Sequence, residues 1–345
     1  MRLARAALLA LAAAFAGCER VEVSNSTIPP KDGSQTLTGT PSSPATLIDR
    51  IAHARDTTRF QGVRRVEIHF EDGGHQRDFQ VRERVSADGH GAYAIEALDV
   101  LDPAMSDAER GLFLTLQSVR QGMNWRYRDF SIDQVQLFLQ NYRTTDTGVP
   151  VDVAGVSCLD LVVERPDGGG SIYSLAVHSP TGLVLRSHEE THEGVVVAEM
   201  VYESISFAPD LSAVAWHQST NNEQPLPLNG VLLGIVGFEP RVPRSLPPGY
   251  QLLERSSLLH PQDGSPWVKA TYGDGVETLF YLHGGPIVAG NGINSGVPRI
   301  EAELLEVTQT APWIVARGNL RNERVIALGK VHEDELILMV RSAME

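Results

Sequence analysis

Leu159-Asp160-Leu161-Val162-Val163, Tyr173-Ser174-Leu175-Ala176-Val177 and Leu183-Val184-Leu185 alternate apolar side chains with others, and Val195 to Phe207 extends the same pattern. Read together with Val135-Gln136-Leu137-Phe138-Leu139 ahead of them, they predict a meander of short antiparallel strands buried on one face. Between the runs lie Pro166-Asp167-Gly168-Gly169-Gly170, Ser179-Pro180-Thr181-Gly182 and His192-Glu193-Gly194. Their Gly and Pro residues suit tight reversals.

Upstream, Leu47, Ile48, Ile51 and Ala52 recur at helical spacing. Strands are predicted over Val63 to Phe70, Asp78 to Val85 and Ala92 to Leu98. Arg82 and Arg84 share the face opposite Phe79, Val81 and Val85; with Arg64 and Arg65 on the neighbouring strand they form a basic cluster, read as a solvated outer face. Pro103 to Met123 reads as a helix, with Ser106 and Glu109 at capping-box spacing and Leu112, Leu116, Val119 and Met123 on one side. The predicted class is α+β: a curved antiparallel half-barrel sheet with helices on its concave face, followed by a smaller antiparallel sheet plus C-terminal helix.

The formal net charge of −14 argues against nucleic acid and against an anionic membrane surface as main partner. The first residues read as a targeting signal, with Arg2 and Arg5 before the apolar run Ala6 to Ala16, ending Ala16-Gly17-Cys18. That ending reads as a lipobox, making residues 1–17 a lipoprotein signal peptide and Cys18 the lipid attachment site; the alternative is ordinary secretion with cleavage nearby. The lipid would hold the protein on the periplasmic side of a bacterial membrane, the outer membrane by preference. Residues 18–44, rich in Ser, Thr, Pro and Gly, read as a flexible tether. Cys158 is then the one remaining thiol and reads as a small buried apolar group.

His188-Glu189-Glu190-Thr191-His192 matches H-E-x-x-H. In zinc peptidases a helix brings the two imidazoles onto one side and sets the Glu beside the metal-bound water. Here strand-forming runs enter and leave the stretch, and residues four apart in extended chain lie about 13 Å from one another. The match is therefore read as part of a hairpin, with a zinc peptidase as the least favoured of three readings. No cofactor or metal is called for, and no catalytic constellation is found.

Residues 208–245 read as a linker. From Leu246 a second pattern begins, with strands over Gln251 to Leu259, Trp267 to Tyr272, Val276 to His283, Ile300 to Thr308, Trp313 to Arg317 and Arg324 to Leu328, and a helix over Glu333 to Met344. The chain resembles the MucB/RseB family of periplasmic sigma-factor regulators, whose first domain is similar to the lipoprotein carriers LolA and LppX. The resemblance rests on Phe60-Gln61-Gly62, Asn141-Tyr142-Arg143, Val153-Ala154-Gly155, Leu159-Asp160-Leu161-Val162 and Thr181 to Arg186 in residues 45–207. In residues 246–345 it rests on Leu246-Pro247-Pro248-Gly249-Tyr250 and Tyr272-Gly273-Asp274-Gly275-Val276. A lipid anchor and the insertion around Gly284 to Gly296 depart from the family pattern.

The resemblance implies a non-enzymatic binding protein in envelope-stress signalling, with a membrane anti-sigma factor as partner and a lipid, lipopolysaccharide or acyl chain as ligand. The alternative is a LolA-like lipid or lipoprotein carrier or chaperone. Leu112, Leu116, Trp125, Leu137 and Leu139 are the residues assigned to an apolar cavity, or else to a closed interior in which they pack on one another.

Overall fold

In a computed structural model of the chain, the described residues are 46–72, 75–101, 105–119, 121–217, 223–260, 264–284, 304–310, 313–320 and 323–345. The signal peptide, Cys18, the tether and most of the Gly284 to Gly296 insertion lie outside them. Among the described residues no helix is long and apolar enough to cross a membrane.

The chain opens with α1 (Leu47–Thr57), whose N-terminus is closed by a reciprocal capping box between Thr46 and Asp49. β1 (Arg59–Asp72), β2 (His75–Asp88) and β3 (Tyr93–Val100) follow, then α2 (Asp107–Val119). A short helical extension, Gln121–Met123, runs into a π-helical turn, Asn124–Arg128. Next come α3 (Val135–Asn141), β4 (Arg143–Asp146), β5 (Val151–Val153), β6 (Val156–Glu164), β7 (Ser171–His178), β8 (Leu183–Thr191) and β9 (Val196–Ser206). These strands make one antiparallel sheet in the order β3-β2-β1-β9-β8-β7-β6-β4, with β5 hydrogen-bonded to β6.

Alternation places Phe60, Val66 and Ile68 of β1, Val81, Val85 and Ala87 of β2, and Leu183 and Leu185 of β8 in one buried cluster. The helices cover that face. α1 buries Ile51 and Ala54 and seats on Gly182, where a Cβ would lie 2.4 Å from the Arg50 carbonyl carbon; the φ of +77° there also disfavours any side chain. Cys158 is buried and free.

Two expectations are corrected. Val135 to Leu139 is helix, not strand: Leu137 and Phe138 turn inward while Leu139 is 58% exposed. Arg64 does not belong to the outer basic face. It points inward at 3% exposure, whereas Arg82 and Arg84 do lie outside, paired with Glu203 and Glu96.

Three inward-facing charged residues sit beside register shifts. Val63 and Arg64 pair with Ser204 and Tyr202, Arg82 and Glu83 with Asp99 and Ala97, and Glu189 and Glu190 with Ala198 and Val196. Glu203, Leu98 and Val197 are thus the extra residues of three bulges, which bend the strands and increase local twist.

The second sheet runs β10-β11-β12-β13-β16-β15-β14, from β10 (Gln224–Leu226), β11 (Gln251–Leu259), β12 (Pro266–Gly273), β13 (Thr278–Gly284), β14 (Leu304–Thr310), β15 (Trp313–Leu320) and β16 (Glu323–Gly329). The connector contributes β10 and the short α4 (Leu233–Val236), so part of it belongs to this sheet. α5 (Glu333–Met344) closes the face by burying Leu336, Met339 and Val340. Glu333, Asp334 and Glu335 occupy its first turn, where the helix dipole favours negative charge.

Candidate functional site

The site is built where the two sheets meet. The turn between β12 and β13, Asp274-Gly275-Val276-Glu277, reaches out of the second sheet and packs against α3 and the core of the first sheet. Asp274 Oδ1 accepts from the backbone N–H of Val276 at 3.0 Å and of Glu277 at 2.8 Å, fixing the turn from within. Gly275, at φ +111°, lies so close to α3 that a Cβ would sit 2.4 Å from Phe138 N. The Asp133 N–H donates to the Gly275 carbonyl at 3.1 Å. Val276 packs into the first sheet's core with Phe130, Ile132, Phe138, Leu161 and Tyr173.

Polar groups surround this plug. The Asn141 amide donates to the carbonyls of Gly249 at 3.0 Å and Asp274 at 2.7 Å, and the Tyr142 hydroxyl donates to Asp274 Oδ2 at 2.7 Å. Arg165 donates to the Pro248 carbonyl at 2.9 Å and stands 3.4 Å from Asp274 Oδ2. Three separate stretches that carry the family resemblance, Asn141-Tyr142, Pro248-Gly249 and Asp274-Gly275, therefore meet at one point.

Further along the junction, the Lys330 ammonium is shared by Glu189 of the first sheet at 2.9 Å and Glu277 of the second at 3.0 Å. Tyr173 donates to Glu277 at 2.6 Å, and Ser171 to Glu189 at 2.9 Å. Burial raises the Glu277 carboxyl to about 7, assisted by the neighbouring Glu189 charge, despite the opposing pull of Lys330. Burial lowers the Lys330 ammonium, but the two carboxylates outweigh it and hold its pKa above the ordinary lysine value.

Behind the junction the half-barrel holds a buried ion network. Arg128 pairs with Glu83 through two contacts of 2.8 Å, and Arg64 bridges Glu83 at 3.2 Å and Asp129 at 2.8 Å. The space beside it, lined by Ile51, Phe60, Arg64, Trp125 and Met200, is about 20 Å³, room for a single water. A larger groove of about 570 Å³ lies outside, between α1 and residues 131–135, and is lined by His53, Asp56, Tyr93, Trp125, Arg126 and Tyr127. Tyr93 stacks on Trp125 with ring centres 4.7 Å apart, and Tyr127 packs edge-on against Phe280 of the second sheet at 4.9 Å.

Of the five cavity candidates, the three whose side chains are described, Trp125, Leu137 and Leu139, take separate positions. Trp125 reaches both the small space and the groove, Leu137 is buried beside Gly275, and Leu139 faces solvent. Leu112 and Leu116 lie on α2, but their side chains are outside the described residues.

The H-E-x-x-H match is strand followed by turn. Glu189 faces inward to Lys330 and Ser171, whereas the His188 Nδ1 lies 2.7 Å from Glu199. Glu189 is thus committed to an ion pair on the side away from His188 and is not placed to act on a metal-bound water. Alternation would have exposed the inward charges: Glu83 stands in register with Val81 and Val85, and Glu189 with Leu183 and Leu185. The residues that meet them, Arg128 and Lys330, are distant in sequence and carry no local signal.

No protein-family model matches the chain, and no curated protein matches its sequence. The two-sheet fold is of the MucB type. The MucB chain in the MucA/MucB complex of Pseudomonas aeruginosa superimposes with a TM-score of 0.50 at 18% identity, over 87% of this chain and 96% of that one. A second structure, MucB in complex with MucA(peri), gives a TM-score of 0.48 at 17% identity, over 86% and 96% of the two chains.

Proposed function

We propose that this chain is a non-enzymatic regulatory protein of the periplasm that binds the extracytoplasmic part of a membrane anti-sigma factor and so controls envelope-stress signalling. The observation that carries the reading is the fold: nearly the whole of a MucB chain seen in complex with MucA has its counterpart here. The aromatic groove beside the sheet junction supports it, because Trp125, Tyr93 and Tyr127 offer rigid apolar contacts with Arg126 at the edge. In this reading residues 1–17 are removed, Cys18 carries the lipid, 18–44 form the tether, 45–207 and 246–345 are the two domains, and 208–245 connect them. The lipid-carrier alternative gains less support, since about 20 Å³ behind α1 admits no acyl chain without displacement of the helix.

The test is calorimetric titration of residues 19–345 with the extracytoplasmic segment of the anti-sigma factor from the same genome. Binding at roughly micromolar Kd or tighter is expected, weakened about tenfold by Arg126→Glu at the exposed groove edge. No detectable binding sinks the proposal.

A further inference from the structure

A second pocket, which the sheet junction does not use, lies on the second sheet. Its floor comes from β12 and β13, where Val268, Ala270 and Tyr272 share one face and the pairing of Ala270 with Tyr281 brings Tyr281 beside them. Connector residues around Leu228 to Leu232 and Glu239 to Val242 wall it, and it encloses about 270 Å³. That is just below the roughly 300–1,000 Å³ of drug-sized sites, so it suits a molecule of monosaccharide size.

Its polar groups are out of balance. Tyr272 and Tyr281 are each 2% exposed, and neither hydroxyl has a hydrogen-bond partner among the described residues. Buried polar atoms are nearly always paired, so two orphan phenols lining one pocket point to a missing partner. Arg255, across the strand pair from Ala270, is half-buried in the same wall and makes no hydrogen bond or ion pair among the described residues. The other arginine at the pocket, Arg241, is neutralised by Glu323 at 2.5 Å and donates to the Met344 carbonyl at 3.1 Å. His283 accepts from the Arg241 N–H at 2.7 Å through Nδ1, and its Nε2 stands 3.6 Å from Glu323. Glu239 is exposed on the rim. Burial raises the Tyr272 phenol to about 12 while the charge of Arg255 pulls the other way, which sets the two groups close together.

We propose that this pocket binds a small organic anion, a carboxylate or phosphate monoester of about sugar size, with Arg255 meeting its charge and the hydroxyls of Tyr272 and Tyr281 donating to its oxygens. The site is separate from the partner groove and stands or falls without it.

The experiment titrates residues 19–345 with glucuronate, glucose 6-phosphate and neutral glucose, read by thermal shift and calorimetry. At least one anion is expected to raise Tm and bind at submillimolar Kd while glucose does not. Arg255→Met should weaken that binding about tenfold or more. Tyr272→Phe and Tyr281→Phe should raise the Tm of the free protein, by removing an unsatisfied hydroxyl, yet shrink the shift produced by the anion. Absence of any anion-induced shift, equal binding of glucose, or an undiminished anion shift in Arg255→Met would each overturn the proposal.

Discussion

The hydroxyl of Tyr142 donates to Asp274 Oδ2 at 2.7 Å, tying the end of α3 to the turn of the second sheet. Burial and the Asp274 charge raise the Tyr142 pKa, so the phenol stays protonated as a donor. Asp274 is 2% exposed, and without Tyr142 its Oδ2 keeps, among the described residues, only Arg165 at 3.4 Å. Tyr142→Phe is therefore expected to cost about 1–3 kcal/mol, because a buried acceptor loses its best donor. A urea midpoint unchanged from wild type would show that the bond contributes nothing.

Gly275→Ala should undo the plug more severely. The new Cβ would meet the backbone of Phe138 at 2.4 Å, and that backbone belongs to a helix that cannot yield alone. Gly194→Ala is the control, since that glycine also has positive φ but open space around it, and should cost only about 1 kcal/mol. Equal losses of Tm in the two variants would mean that backbone strain, not contact with α3, sets the cost at Gly275.

The buried ion network should govern stability in acid. Burial raises the Asp129 carboxyl, but Arg128, Arg64 and Arg55 outweigh it and hold its pKa well below the ordinary range. A carboxyl lowered on folding stabilises fully above its unfolded value of about 3.9 and loses that contribution as pH falls towards the folded value. Unfolding below about pH 4 should thus be steep, and Asp129→Asn should flatten it while destabilising the protein at neutral pH. Arg128→Met should cost about 3–5 kcal/mol, since Glu83 and Asp129 lose their shared cation. Denaturant titrations at a series of pH values decide both points.

Glu277 gives the junction the opposite slope. Its carboxyl, raised by burial to about 7, holds a proton that the unfolded chain releases near its ordinary value of about 4.3. The corresponding stabilisation is complete below that lower value and is lost as pH rises through about 7. Tm should accordingly fall between about pH 5 and 8, and Glu277→Gln should remove most of the fall. A slope that survives Glu277→Gln would assign it to other groups.

How far these features could be read in advance depends on the range of the signal. The strands β6 to β9 follow from local alternation. So does α5, whose apolar positions and acidic first turn are contiguous. Val135-Gln136-Leu137-Phe138-Leu139 misleads because five residues with apolar side chains at four positions fit either period, and the helix is held by a distant contact, Gly275 against Phe138. The resemblance motifs are visible individually as turns and strand starts. Their convergence is not visible, since Asn141 and Asp274 meet across 133 residues of chain. The half-barrel's polar filling is half legible: Glu83 interrupts an apolar face, while its partner Arg128 lies in a π-helical turn with no periodic signature.

Each of the bulges opposite Arg64, Glu83 and Glu189 adds one residue to a strand, at Glu203, Leu98 and Val197 respectively. Because side chains alternate between faces, removing one of these residues would exchange inside for outside along the rest of that strand, while replacing it would leave the alternation intact. Chain length is consequently the inherited constraint at these three places. Substitutions can accumulate there, but a one-codon deletion would turn an aromatic or aliphatic strand face towards solvent and strand a buried charge without its partner.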